Sequence, residues 1–535
     1  MYRVFWRQSP RLLAAAAALG ALGLMIPAIA ASQAAGPAPA PRESTASPDA
    51  APRAGGGGFG PSRYAAETYG QVCAGCHGVD LAGGRGPSLF DPKLLSIRSD
   101  EQLHNTILNG VPGTEMQAFK GAINEDQAWQ IVSYLRTEAA NLKPKAAFVP
   151  NPANQVIKSQ KQTFRIEVVA PGLDTPFGLA FLPDGRLLVT ERPGRLRIVG
   201  KDGKLSPTPV TGTPKPFVRQ DGGYFDVAVD PNYAKSGWIY LSYSELAPGA
   251  TAPDKDPPRQ PGVRPAFPPS MTVIIRGRIN ARNQWVDTQT IFHARPEIYT
   301  GSVIHYGSRF AFDHQGHLFF TLGERGEFTN AQKLDTPLGK VHRVNLDGSI
   351  PADNPFVKTP GAVRSIWTIG HRNPQGLAWD PVTGLLWESE HGPTGGDEIN
   401  ILEKRKNYGW GVATMGIQPG ITKRSEPGME QPIAYYTPAI APSGITFYAG
   451  ARYPGWKNDL FVSGLTGQSL RRLEVKGREV VSQEVLFQQF GRTRAVITGP
   501  DGLLYVLLQN PTGAGTGLSL AAPTPGMVVR LVPQN

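Results

Sequence analysis

Cysteine is nearly absent from this chain: there are two among 535 residues, Cys73 and Cys76. A disulfide framework is therefore excluded, and packing must hold the remainder together. Beyond Ala31 there is no long apolar run, so nothing further along reads as a membrane span. Runs of like charge are missing too. The formal net charge is +11, yet the cations are scattered, with no basic stripe interleaved with aromatics. That pattern reads as a solvated basic surface and excludes a nucleic-acid footprint. What is abundant is Gly (62) and Pro (50), alongside a 40% apolar fraction ample for a buried interior. The combination favours many short strands joined by tight turns, together with linkers.

The chain opens with Arg3, Arg7 and Arg11, an apolar run from Leu12 to about Ala31, and a small-x-small site at Ala28-Ile29-Ala30. This is the pattern of a secretory signal over residues 1–31, which places the protein in the periplasm. An uncleaved segment would make it a membrane anchor instead. Residues 32–62, rich in Ala, Pro and Gly and closing on Gly55-Gly56-Gly57-Gly58, read as a linker. Residues 63–142 read as helical. Ala128, Trp129, Val132, Tyr134 and Leu135 recur near helical period, with Asn124 as N-cap. A second linker, 143–160, carries Pro144, Pro150 and Pro152.

From 161 to 535 one unit recurs: a polar turn with Asp or Gly, then a short apolar strand. The strands are Leu187–Thr190, Trp238–Leu241, Leu318–Thr321, Leu385–Trp387, Leu460–Val462 and Leu503–Val506. Six such units predict an all-β six-bladed propeller behind a small all-α domain; a single sandwich fits the length worse. A Pro-rich insert between Ser244 and Ser270 reads as a loop.

Cys73-Ala-Gly-Cys76-His77 is the attachment motif for one covalent haem c, with His77 as axial ligand. Half a zinc site and a redox dithiol explain the surrounding sequence less well. Tyr69-Gly70, Gly78, the loop Gly110-Val111-Pro112-Gly113-Thr114-Glu115-Met116 and the helix through Trp129 resemble a class I cytochrome c domain. That resemblance makes Met116 the sixth ligand, with His104 as the alternative, and a thioether ligand raises the reduction potential.

Polar residues cluster oddly further on. His305 lies just before a strand, with Arg309 soon after it. Gly370-His371-Arg372-Asn373-Pro374-Gln375-Gly376 crowds polar groups into a turn. Glu390-His391-Gly392-Pro393 leads to Gly396-Asp397-Glu398, and Arg492 and Arg494 are paired. Carbonyls of a Gly-Pro loop are hard ligands suited to calcium. Together these residues make a cationic, oxygen-rich site suited to a polyanionic cofactor.

These motifs, with Pro176-Phe177-Gly178-Leu179, His305-Tyr306-Gly307-Ser308-Arg309 and Asn407-Tyr408-Gly409-Trp410, resemble the soluble PQQ-dependent aldose sugar dehydrogenases, the glucose/sorbosone dehydrogenases. The resemblance implies a six-bladed propeller, PQQ and Ca²⁺. It implies His305 as general base, Glu324 as the group orienting it, and Arg372 beside the quinone oxygen. Asn373, Arg492 and Arg494 would bind PQQ, while Gly392 and Pro393 would ligate calcium. Two positions depart from the family: Thr466 stands near Leu465 where some members carry a Lys, and Asp221 stands where a Gln is usual, with Gln220 before it. The implied reaction is oxidation of an aldose at C1 to the lactone, the electrons passing to haem c and on to a soluble cytochrome or oxidase. Oxidation of sorbosone or another aldehyde or alcohol on the same site is the alternative. A non-enzymatic binding propeller conflicts with the retained His305, Arg372 and Asn373.

Overall fold

A computed structural model describes residues 42–43, 63–142 (apart from 79–80, 82, 84 and 90–97), 152–254, 267–509 apart from six single positions, and 525–534. The expected signal segment, most of the first linker and residues 143–151 of the second lie outside these, as does the centre of the Pro-rich insert. Among the described residues no helix is long and apolar enough to cross a membrane.

The helical domain is built from α1 (Arg63–Val72), α2 (Ala74–His77), α3 (Asp100–Asn109) and α4 (Glu125–Leu142). Ser99 and Gln102 close a capping box on α3. Asn124 and Gln127 do the same for α4, each side chain accepting the other's backbone N–H at 2.8 and 3.0 Å. The faces of α3 and α4 bury Leu103, Ile107, Ala128, Trp129, Val132 and Leu135 in one core with Tyr69 and Cys73.

Six antiparallel sheets follow. Blade one is Pro176–Phe181, Leu187–Glu191 and Arg195–Val199; blade two is Tyr224–Val229, Ile239–Leu246, Ser270–Ile279 and Trp285–Phe292. Blade three runs from Phe310–Phe312 through His317–Leu322 and Lys340–Asn345 to Ile366–Ile369; blade four holds Pro374–Trp379, Leu386–Glu390, Asp397–Leu402 and Ala434–Tyr436. Blade five is Pro442–Phe447, Leu460–Gly464, Ser469–Lys476 and Glu479–Phe487. Blade six joins both ends of the segment: Arg492–Thr498, Leu504–Gln509 and Pro525–Pro533 are completed by Thr163–Asp174 from the front. Val156–Lys158, assigned to the linker on its prolines, pairs on the outside of Thr163–Asp174, so ordered sheet begins inside the expected linker. Arg42–Glu43 pairs in parallel with Ala434–Tyr436 at the rim of blade four.

Each recurring polar turn of the sequence is the hairpin before the second strand of a blade. Apolar clusters lie between neighbouring blades, as where Leu188 and Ile198 of blade one meet Val227, Leu241 and Ile275 of blade two. A polar side chain near the end of the second strand then ties most blades to the next. Thr190 donates to Phe225 O (2.5 Å), Thr321 to Pro374 O (3.0 Å), Ser389 to Ser443 O (2.8 Å), and Gln509 closes the ring on Pro176 O (2.6 Å). Buried backbone carbonyls that lack a sheet partner are satisfied this way, which is why small hydroxyl residues sit among the apolar ones.

Candidate functional site

The topology gathers the sequence-predicted residues at one end of the propeller. His305, Arg372-Asn373 and Arg492 stand at or just before the start of an innermost strand, and Asp221 shortly before another. Second strands run antiparallel to these, so the residues after them arrive at the same end: Arg192, Glu324, His391 and Thr466.

The imidazole of His305 is the centre of the arrangement. Its Nδ1 lies 2.5 Å from Glu324 Oε1. A carboxylate only accepts, so the proton sits on Nδ1 and Nε2 carries the lone pair. Burial first, then the Arg372 guanidinium, hold the His305 pKa below its ordinary value, while Glu324 opposes them. Burial by itself would raise the Glu324 carboxyl, but His305, Arg372 and the Gly326 N–H bring it below the usual range. His305 also carries a left-handed backbone, φ 55°, as do Gln220 (42°), Ser308 (82°) and Arg325 (62°) nearby in the fold. Strained residues of this kind persist where surrounding contacts over-determine them. Here Asp221 Oδ2 accepts the His305 N–H at 3.1 Å, and Gly323 packs so tightly that a Cβ would lie 2.1 Å from His305 O.

Arg372 is fixed from two sides: Glu390 accepts its backbone N–H at 2.6 Å, and its guanidinium donates to His391 O at 3.2 Å. Asn373 accepts from Gly307 N (3.1 Å) through Oδ1 and sets its amide against His391 Nδ1 (3.4 Å). Gly392 donates its N–H to Asp397 (2.8 Å), whose second oxygen accepts from Ile440 and Ala441. Burial raises the Asp397 pKa to about 6 against those three donors. A side chain at Gly392 would lie 2.3 Å from Gly396 O, so only glycine allows this loop, which carries the Gly392 and Pro393 carbonyls.

Arg492 and Arg494 belong to a larger cationic cluster. Burial, then repulsion from Arg492 and Arg309, drives the Arg494 pKa well down; burial brings Arg492 to about 10, with Arg192 adding to it and Asp221 opposing. Asp221, an anomaly in sequence, is an anionic counterweight felt by Arg192, Arg325, Arg372, Arg492 and Arg494. Buried Nε atoms of Arg372 and Arg494 and Nε2 of His391 find no hydrogen-bond partner among the described residues. Buried cations and donors left in this state fit a polyanionic guest such as PQQ, whose carboxylates would pair with them. The hard carbonyl donors beside them fit Ca²⁺.

Several members of the site carry little signal in the sequence. Arg192 directly follows the second strand of its blade, as His391 does, and that position was the available signal. Gln375 of blade four accepts from Arg494 of blade six (3.3 Å) and donates to Gly307 O (3.1 Å) on the segment entering blade three. Behind the site, Asn400 donates to both Glu388 (3.1 Å) and Glu398 (3.2 Å), and His371, Glu388 and Glu390 form a buried group whose ligand atoms lie within 4.8 Å. Thr466, at the departure noted above, donates its backbone N–H to Ile440 O.

The cysteine motif sits where α1 ends. Cys73 is buried and Cys76 half-buried. His77 Nδ1 lies 2.9 Å from Pro87 O; a carbonyl accepts only, so Nε2 is left free as an axial nitrogen. Gly86 presses on that ring, where a Cβ would come within 2.8 Å of Cε1. Paired thiols and an oriented imidazole fit a covalent haem. Met116 is half-buried on the loop after α3, and Arg85 in the loop following His77 pairs with its neighbour Glu115 at 3.1 Å. His104, the alternative ligand, stacks on Trp129 at 4.0 Å with Nε2 3.1 Å from Glu125.

Comparison with known proteins agrees with this anatomy. Residues 173–518 match the glucose/sorbosone dehydrogenase family model, and residues 62–135 match that of the cytochrome c oxidase cbb3-type subunit III. An aldose sugar dehydrogenase of Escherichia coli is 39% identical over 360 residues, covering 66% of this chain and 91% of that protein. The solved apo-form of the soluble Escherichia coli aldose sugar dehydrogenase superposes with TM-score 0.60 at 35% identity, over 69% of this chain and all of that one. The PQQ-bound aldose sugar dehydrogenase of Streptomyces coelicolor gives 0.53 at 26%, over 72% of this chain and all of that one. The chain belongs to the glucose/sorbosone dehydrogenase family of oxidoreductases, with a cytochrome c domain ahead of its propeller.

Proposed function

We propose that this protein oxidises an aldose at C1 to the lactone with PQQ and Ca²⁺ as cofactors, and passes the electrons to haem c and then to an external cytochrome or oxidase. The observation that carries this reading is the His305–Glu324 pair, a base with its proton fixed on Nδ1 at 2.5 Å, set among buried arginines. PQQ, when bound, supplies the two-electron acceptor for hydride leaving C1. The chain's own residues do the rest. His305 Nε2 takes the proton of the C1 hydroxyl, a contribution of about 10²–10⁴-fold for a positioned base. Glu324 holds the imidazole and stabilises the imidazolium that forms. Arg372 offers positive charge where negative charge develops. Arg492, Arg494 and Asn373 would hold PQQ, with Asp221 tempering the cations, and the Gly392 and Pro393 carbonyls would hold Ca²⁺. Cys73 and Cys76 would anchor the haem, with His77 and Met116 as its iron ligands. The haem-attachment motif and the N-terminal signal pattern support the periplasm as the place of this chemistry.

The test is a panel of aldoses, sorbosone and simple alcohols given to protein reconstituted with PQQ and Ca²⁺, with a dye acceptor and product analysis. Lactone from an aldose, lost in His305→Ala, is the expected result. Turnover of sorbosone or alcohols alone would replace the sugar, and full activity in His305→Ala would remove the base.

A further inference from the structure

The propeller touches the helical domain through Arg424. Its guanidinium carbon lies 3.5 Å from the centroid of the Trp129 ring. Trp129 also stacks with His104, 4.0 Å between centroids and 14° from parallel. Arg424 also neighbours the acidic start of α3: the carboxyl of Asp100 and the imidazole of His104 both feel its charge. The same guanidinium donates to three successive carbonyls of its own domain, Thr414 (3.3 Å), Met415 and Gly416 (3.0 Å). That carbonyl run abuts the Gly392–Gly396 loop. A Cβ on Gly416 would come within 2.3 Å of Gly395 O and 2.7 Å of Pro393 Cδ, and one on Gly396 within 2.0 Å of Gly416 N. Trp129 in turn belongs to the core that holds Cys73. One arginine thus joins the loop carrying the calcium-ligand carbonyls to the packed interior of the haem domain, with one charge-assisted stack between them.

We infer that Arg424 and Trp129 form the docking contact that seats the haem domain over the substrate site, so that haem reduction is intramolecular and passes through this seam. This rests on the reading of the propeller as a sugar dehydrogenase. Sugar oxidation releases two electrons and two protons. Each electron reduces ferric haem to ferrous, and an external one-electron acceptor, a cytochrome or oxidase, reoxidises the haem between the two. The planar guanidinium suits the role: it stacks on an indole face while its edge donates to carbonyls, which a lysine ammonium does not do. Arg424 and Trp129 are positioning residues here; neither touches the reacting atoms.

The experiment compares wild type, Arg424→Glu and Trp129→Leu in haem-loaded protein. Three quantities are read: dye-linked sugar oxidation, the first-order rate of sugar-driven haem reduction in stopped flow, and amide hydrogen exchange across residues 125–142 and 412–426 before PQQ is added. Both variants are expected to keep dye-linked turnover, to slow haem reduction by about tenfold or more, and to gain exchange in both segments. Should Arg424→Glu also lose dye turnover by releasing the Thr414–Gly416 carbonyls, Trp129→Leu decides. Slowed haem reduction at full dye turnover supports the contact, and wild-type rates on both overturn it. Wild-type haem that stays oxidised while dye is reduced overturns intramolecular transfer as a whole, and wild type that reduces neither sinks the dehydrogenase reading itself.

Discussion

Replacing Glu324 with Gln keeps a hydrogen-bond acceptor behind His305 and removes only the negative charge. The 2.5 Å contact to Nδ1 makes this a clean perturbation, because Gln can present its carbonyl oxygen to the same N–H. A hydrogen bond to a charged partner contributes about 1.5–3 kcal/mol, against about 0.5–1.5 kcal/mol for a neutral one, so the charge itself is worth about 1–1.5 kcal/mol. That corresponds to about one pKa unit and about tenfold in rate. The direction follows from the environment. Burial and Arg372 already depress the His305 pKa, and Glu324 is the group that raises it. Glu324→Gln should therefore move the acid limb of the kcat/KM profile about one pH unit lower and reduce the plateau kcat about tenfold. The assay is dye-linked turnover from pH 4 to 9 with PQQ and Ca²⁺ saturating. An acid limb that stays in place or moves up, with kcat unchanged, would show that Glu324 does not act through the imidazole.

Arg494→Gln removes a buried cation whose pKa is driven well down by burial and by its neighbours Arg492 and Arg309. The PQQ-free protein should melt at higher temperature, while PQQ binds about 10- to 100-fold more weakly, the range of one charged hydrogen bond, as titration of the apo-protein would read. Burial brings His342 down to about 3, with Nδ1 bonded to Ser365 and Nε2 to Pro337. The unfolded chain binds a proton there below about pH 6.5 that the folded one refuses, so stability falls as pH drops from about 6.5 towards 3, by up to about 1.4 kcal/mol per unit. His342→Gln should flatten that slope in denaturant titrations at successive pH values. Met116→His should lower the haem midpoint potential by on the order of 0.1 V, within the ~0.8 V that axial ligands command, as redox titration would show.

The propeller was legible because each blade repeats one local event: a polar hairpin turn followed by an apolar second strand, as at Asp184-Gly185 before Leu187 and Asp501-Gly502 before Leu504. Local signals also served the helices, where Asn124 caps α4 as its sequence implies. Much of the site was legible where its residues are clustered in the chain, while Glu324 and Asp221 came into view only through the family resemblance. Arg372, Asn373, Gly392 and Pro393 fall within short motifs. Arg192 and Gln375 act through partners in other blades, and the Glu388, Glu390, Glu398 and Asn400 group becomes a group only when its strands pair. Nothing around Arg424 in sequence points to Trp129, which is almost three hundred positions earlier and meets it only through packing. Asp221 shows the reverse case: a departure in sequence that the fold uses, as backbone acceptor for His305 and counter-charge for the arginines.

The central claim is that sugar oxidation in the propeller feeds electrons to the covalent haem of the same chain. Its most direct test mixes oxidised, PQQ- and Ca²⁺-loaded protein with an aldose, without mediator, and follows the ferrous haem absorption band at several protein concentrations. Haem should be reduced at a first-order rate independent of protein concentration. A rate that scales with concentration, or a haem that stays ferric while the same preparation reduces a dye, would contradict it.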